Sequence, residues 1–160
     1  MQTAYLHTPL GLASITGDET GIYAVSCLNE AGPAETSGTP LTEPIQRCME
    51  QLTDYFEGRR QVFDLPLKPQ GTEFQQRVWQ ALLSVPFGQT LSYLTLARHL
   101  GDEKAIRAVG LANGRNPIWI LIPCHRIIGS NGELTGYAGG LWRKKWLLEH
   151  ERGSRQLSLL

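Results

Sequence analysis

At 160 residues, with 41% hydrophobic and 19% charged residues and a formal net charge of zero, the chain is long enough to bury a core as one compact domain or two small ones. No run approaches the roughly 18 consecutive apolar residues of a membrane span. Met1-Gln2-Thr3-Ala4-Tyr5-Leu6-His7 lacks the basic and apolar regions of a signal peptide, so a cytoplasmic protein without a membrane partner is expected.

Three cysteines, Cys27, Cys48 and Cys124, are an odd number without CxxC spacing, which argues against a disulfide framework or a cysteine zinc site and fits a reducing compartment. Residues 1–91 carry 5 Lys and Arg against 10 Asp and Glu (5 − 10 = −5), and residues 92–160 carry 10 against 5 (10 − 5 = +5). The basic second half is either a solvated face or a surface that meets a polyanion.

Near the start, Tyr5-Leu6-His7, Leu12-Ala13-Ser14-Ile15-Thr16 and Ile22-Tyr23-Ala24-Val25 are short apolar stretches separated by Pro9-Leu10-Gly11 and Gly17-Asp18-Glu19-Thr20-Gly21. Three antiparallel strands joined by hairpins follow from that spacing, with Cys27 at the end of the third as a small buried hydrophobe. From Asn29 to Pro44 the composition is that of a surface loop. Ile45, Cys48, Met49, Leu52, Tyr55 and Phe56 then recur at helical spacing, and Gly58 stops the pattern. Cys48 lies on this apolar stripe, where core filling is its expected role.

A boundary is expected near Gln70, giving an N-terminal α/β domain over residues 1–70 and a mainly α domain over 71–160, α+β overall. Thr72-Glu73-Phe74-Gln75 has the form of a capping box. It predicts a helix burying Phe74, Val78, Trp79, Leu82 and Leu83 and ended by Pro86 and Gly88. Ser92 and Asp102 are candidate N-caps of two short helices joined at Gly101, the outline of a helix-turn-helix. In the second helix Ala105, Ala108 and Gly110 would let the backbone approach a groove beside Lys104 and Arg107. Helical hairpins that never meet DNA share this outline, and both readings stand.

Gly114-Arg115-Asn116-Pro117 is a turn, Ile118-Trp119-Ile120-Leu121-Ile122 an apolar run that must be buried, and Pro123-Cys124-His125-Arg126 what that run delivers. Glycine-rich loops follow at Ser130-Asn131-Gly132 and Gly136-Tyr137-Ala138-Gly139-Gly140, then a last helix from Leu141 to Glu151 ended by Gly153.

The thiolate is the reactive form of cysteine, so a neighbouring base and cation point to nucleophilic chemistry at Cys124. Adjacent side chains often diverge, and a direct or a water-linked Cys124–His125 pair both fit the sequence. Glu149 and Glu151 are candidates to orient the imidazole. His7, His99 and His150 read as surface or helix-end residues.

Taken together, Gly114-Arg115-Asn116-Pro117, Pro123-Cys124-His125-Arg126, Gly136-Tyr137-Ala138-Gly139-Gly140 and Lys145-Trp146-Leu147-Leu148-Glu149-His150-Glu151 resemble the O6-alkylguanine-DNA alkyltransferases of the Ogt type, over residues 72–151. The resemblance implies single-turnover repair of double-stranded DNA, moving an alkyl group from guanine O6 or thymine O4 to Cys124 without a cofactor or metal, in a monomer. It further implies His125 as a base working through water, Glu151 as its carboxylate and Asn116 as a brace beside the acceptor. Arg107 would enter the duplex, Tyr93 would assist rotation of the nucleotide, Lys104 and Ser130 would contact DNA as well, and Tyr93, Tyr137 and Ala138 would line the substrate pocket. Some relatives present a serine hydroxyl where this chain has Ala138. A Cys-His hydrolase would explain Cys124 and His125 but not the helix-turn-helix, and a DNA-binding module without chemistry would not need Cys124.

Overall fold

Turn chemistry sets the first three strands. In a computed structural model, which describes residues 1–28, 40–137 and 139–159, β1 (Gln2–Thr8), β2 (Gly11–Asp18) and β3 (Gly21–Leu28) form an antiparallel sheet in that order. The Asp18 carboxylate accepts from the Thr20 amide at 2.8 Å and closes the second hairpin. Ala4, Ala13, Ile15, Ile22 and Val25 are buried. Cys27 is only half-buried, its thiol donating to the Leu10 carbonyl at 3.4 Å, so the expected burial there is incomplete. Most of the loop expected from Asn29 to Pro44 lies outside the described residues.

Helix α1 (Glu43–Phe56) begins with Pro44 in its first turn, where a missing N–H costs nothing. It buries Ile45, Cys48, Leu52 and Tyr55 along one stripe. Gly58, at φ +81°, lies just beyond its end.

The chain divides into two compact units, Met1–Gln70 with Pro117–Leu121, and Gly71–Asn116 with Ile122–Leu160. Most of the apolar run before the cysteine is therefore taken up by the first unit. The Val25 amide donates to the Pro117 carbonyl at 3.0 Å, and the Trp119 amide donates to Val25 at 2.9 Å. Ile118 thereby bridges β3 in parallel, as Leu67 does at Ile22.

In the second unit, α2 (Glu73–Leu82) carries the complete capping box at Thr72 and Gln75. It ends at Leu82, earlier than Pro86, and Leu83, the residue that caps it, is 43% exposed rather than buried. Strand β4 (Leu91–Ser92) leads into α3 (Tyr93–His99), whose first turn is capped by the Ser92 hydroxyl accepting from the Thr95 amide. Gly101 turns the chain at φ +90°, a conformation a Cβ disfavours. A 3-10 turn capped by Asp102 opens into α4 (Ile106–Gly114), which completes the helix-turn-helix outline. Strand β5 (Ile127–Ile128) pairs in parallel with β4, a small ladder within the mainly helical half. Helix α5 (Leu141–Leu159) runs past Gly153, which occupies a helical position without breaking the ladder of bonds. The architecture is α+β. No helix among the described residues is long and apolar enough to cross a membrane.

Candidate active site

Backbone geometry presents Cys124. Ile120 sits at φ +69°, a conformation that costs a β-branched residue roughly 1–3 kcal/mol. Cys124 then opens a 3-10 turn, Cys124–Arg126. Two side-chain amides hold this segment: Asn116 Nδ2 donates to the Ile122 carbonyl at 2.7 Å, and Asn113 Nδ2 to the Cys124 carbonyl at 3.3 Å. Pairing of Leu91 with Ile127 and of Ser92 with Ile128 brings the start of α3, and with it Tyr93, alongside the residues that follow the thiol.

His125 and Glu151 are both buried, with Nε2 and Oε2 2.7 Å apart. Glu151 also accepts from Arg126 Nε at 2.8 Å and Nη2 at 3.0 Å, and the remaining Arg126 donor Nη1 reaches the Val85 carbonyl at 2.8 Å. Burial by itself would raise the Glu151 pKa, but His125 and Arg126 outweigh it and hold the carboxyl well below the usual range. An ionised carboxylate only accepts, so His125 Nε2 carries the hydrogen. Burial, aided by Arg126 and Lys144, keeps the imidazole pKa below its ordinary value despite Glu151. The ring is thus neutral, and Nδ1 is its basic nitrogen. Nδ1 is buried and makes no hydrogen bond within the protein among the described residues, so the direct pair with the thiol is not formed. Glu149 is exposed and takes no part.

Cys124 is 6% exposed. Burial pushes its thiol pKa up, while the Asn116 amide, the Lys144 charge and the Tyr137 hydroxyl act in the opposite direction. Lys144 is what the sequence reading missed. It is fully buried, its ammonium donates to the Thr135 carbonyl at 3.0 Å and lies 5.7 Å from the Tyr93 ring centre and 6.0 Å from that of Tyr137. Burial lowers its pKa to about 8, with the Cys124 charge opposing the shift. A signal did exist: Lys144 stands seven residues before Glu151 and three before the buried Leu147, so two helical turns place it on the stripe that carries the carboxylate.

Tyr93 and Arg107 line an open cavity of about 310 Å³ together with Ile106, Gly110, Thr135 and Gly136. Tyr93 Oη donates to the Thr135 carbonyl at 3.2 Å, the same oxygen that accepts from Lys144. Arg107 and Ala108 are exposed on α4, as are Ile106 at 37% and Leu111 at 58%. Lys104 and Ser130 are exposed and do not line this cavity, and Ala138 lies outside the described residues. The structure therefore brings the buried Cys124, His125 and Glu151 together with the half-buried Asn116 and Tyr137, and Tyr93 and Arg107 into one open cavity.

Residues 73–153 match the family model described as 6-O-methylguanine DNA methyltransferase, DNA binding domain, and residues 1–69 the model described as its ribonuclease-like domain. A protein from Methanosarcina acetivorans called methylated-DNA–protein-cysteine methyltransferase is 45% identical over 153 residues, 94% of this chain and 98% of its own length. One of the same name from Mycobacterium tuberculosis is 45% identical over 148 residues, 92% and 90% of the two chains. The crystal structure of M. tuberculosis OGT in complex with DNA superposes with a TM-score of 0.86 at 42% identity, covering 96% of this chain and 94% of that one.

Proposed function

The chain belongs to the methylated-DNA–protein-cysteine methyltransferase family, and we propose that Cys124 is the sulfur on which its alkyl transfer ends. The protein repairs DNA by moving an alkyl group from the damaged base to its own cysteine. In our reading the substrates are O6-alkylguanine and O4-alkylthymine in double-stranded DNA, and a monomer acts once, in the cytoplasm.

The chemistry follows from the cluster. Nδ1 of His125, its partner nitrogen committed to Glu151, takes the thiol proton through a bridging water. The charge of Lys144 and the hydrogen bonds of Asn116 and Tyr137 favour the thiolate that results. Sulfur then attacks the alkyl carbon, the S–C bond forms as the C–O6 bond breaks, and the electron pair stays on the guanine. The Tyr93 hydroxyl steadies the charge there. A thioether has no good leaving group, so the protein is consumed.

Reaching a base atom inside a duplex requires extruding the nucleotide, at a cost on the order of a few kcal/mol. Arg107, exposed on α4 at the edge of the cavity, would enter the stack in its place, and Lys104 and Ser130 would contact the flanking backbone.

The observation that carries this reading is the buried thiol beside an anchored neutral imidazole and a buried ammonium. Mass spectrometry of the intact protein after exposure to O6-methylguanine duplex is expected to show the gain of one methyl, mapped to Cys124. Cys124→Ser is expected to bind the same duplex and gain nothing. A methyl group on any other residue, or transfer that survives the substitution, would refute the assignment.

A further inference from the structure

Helix α4 presents Val109, Ala112 and Asn113 to the interior of its unit. The first two are what an inward stripe ordinarily holds. Asn113 is not: at 1% exposure an amide sits where an apolar side chain of similar size would fill the space and favour the helix more. Its Oδ1 is buried and makes no hydrogen bond within the protein among the described residues. Its Nδ2 donates to the carbonyl of Cys124.

That bond is long at 3.3 Å, but it acts together with a shorter one. Asn116, in the turn that ends α4, holds the Ile122 carbonyl at 2.7 Å. Two amides from one helix end therefore fix the carbonyls on both sides of Pro123 and Cys124. With the proline ring already restricting the backbone between them, rotation about the Cα–Cβ bond is the main freedom left to the sulfur. The same helix carries Arg107 six residues earlier, about 9 Å along its axis, and the Trp79 indole donates to the Ala112 carbonyl at 2.9 Å and steadies the turn next to Asn113.

We propose that Asn113 is a positioning residue for the alkyl transfer: through the carbonyl of Cys124 it sets the line of attack of the sulfur relative to the helix that carries Arg107. The inference rests on Cys124 as acceptor and adds a residue that touches neither substrate nor sulfur. Displacement at carbon needs the nucleophile in line with the breaking bond, and a misplacement of about 1 Å costs about 100-fold.

The test is Asn113→Leu, which keeps the branching and number of side-chain heavy atoms and removes both the donor and the unpaired acceptor. In single-turnover reactions with O6-methylguanine duplex, the transfer rate at saturating DNA is expected to fall about tenfold or more, with the half-saturating DNA concentration within about twofold of the parent. The midpoint of the pH–rate profile should stay in place, because the amide touches backbone and not sulfur. Melting should occur within about 4 °C of the parent. Iodoacetamide, a small electrophile with no fixed approach, separates alignment from loosening. Labelling of Cys124 within about twofold of the parent supports a positioning role, whereas faster labelling would mean an opened turn and would overturn it.

A folded Asn113→Leu protein that transfers at the parent rate would also overturn the proposal, as would a shifted midpoint. Should that variant fail to fold, Asn113→Ala is read by the same measurements. Methylation of Cys124 in the parent is scored in the same reactions. Its absence defeats the acceptor assignment, whereas its presence with an unimpaired variant defeats only the role of Asn113.

Discussion

Two thiols are buried in this molecule, and their surroundings differ as expected if one is the proposed alkyl acceptor and the other is filler. Cys48 lies on the inward stripe of α1, fully buried, and burial alone raises its pKa to about 12. Cys124 is nearly as buried, and burial again pushes its pKa up. Here an amide, a hydroxyl and a buried ammonium oppose the shift, and a neutral imidazole follows in sequence with its far nitrogen tied to Glu151. Desolvation silences a thiol in either place. What restores reactivity is a local set of groups that prefer the charged form, and such a set is itself costly to bury.

The largest effect is expected from dismantling the support of that set. Glu151→Gln leaves Arg126 buried without a counter-charge and frees the imidazole to change tautomer. A loss of about 3–5 kcal/mol in urea melts and a strongly slowed transfer are expected. The parent should show the same dependence through acid. His125 has its folded pKa below the ordinary 6.5, and Glu151 below the ordinary 4.5, so in both windows the unfolded chain binds more protons and stability falls as pH falls. The loss attributable to His125 begins as pH drops through about 6.5, and that of Glu151 follows below its ordinary value. Urea melts from about pH 8 to about pH 5 on the parent and on His125→Gln check this. The variant should lose the upper slope, and an unchanged slope would separate His125 from the acid sensitivity.

Much of this arrangement was legible in the sequence wherever a residue has one good reason to stand where it does. Thr72 with Gln75, Ser92, Gly101 and Asp102 are helix punctuation, and each occupies the position its chemistry demands. Glu151 is the carboxylate that meets His125, while Glu149 faces solvent. The misreadings fall where local pattern is ambiguous. Leu83 continues the apolar content of α2 but lies past its last turn, and Gly153 has the composition of a stop without the conformation of one. The run Ile118–Leu121 reads as core, yet no periodicity says that its backbone pairs with β3 in the first unit. Lys144 and Asn113 were hidden for a related reason. A polar residue on an apolar stripe looks like an interruption until its partner is known, and here Asn113 holds the Cys124 carbonyl while the Lys144 charge acts on the Cys124 thiol, each from a separate helix.

An intermediate effect tests the electrostatic half of the comparison. Lys144→Met keeps the packing and removes the buried charge, which moves Cys124 toward the condition of Cys48. At neutral pH transfer is expected to slow by about 10- to 100-fold, since each pK unit of lost thiolate preference is worth about 1.4 kcal/mol. Binding to undamaged duplex should hold within about threefold, as the side chain is sealed from solvent. The sign of the pH response follows from the lysine itself. Its pKa is about 8, so the cation is present below that value and disappears above it, and the parent rate should decline on the alkaline side while the variant shows no such limb. Single-turnover rates across that range decide the matter, and a variant that keeps the alkaline decline would assign it to another group.

The smallest effect belongs to the other thiol. Cys48→Ala removes one sulfur from the apolar stripe of α1, and a stability loss of about 1 kcal/mol is expected, near the value of one buried methylene. Transfer should stay within about twofold. In the native parent, a thiol reagent at mildly alkaline pH should leave Cys48 untouched, because a pKa raised to about 12 leaves almost no thiolate to react. Damaged duplex should leave it unmodified even in Cys124→Ser, where no better acceptor competes. Modification of Cys48 in that variant would mean that access to the lesion, rather than the groups around the sulfur, sets which thiol accepts the alkyl group. The contrast between the two environments would then lose its explanatory force.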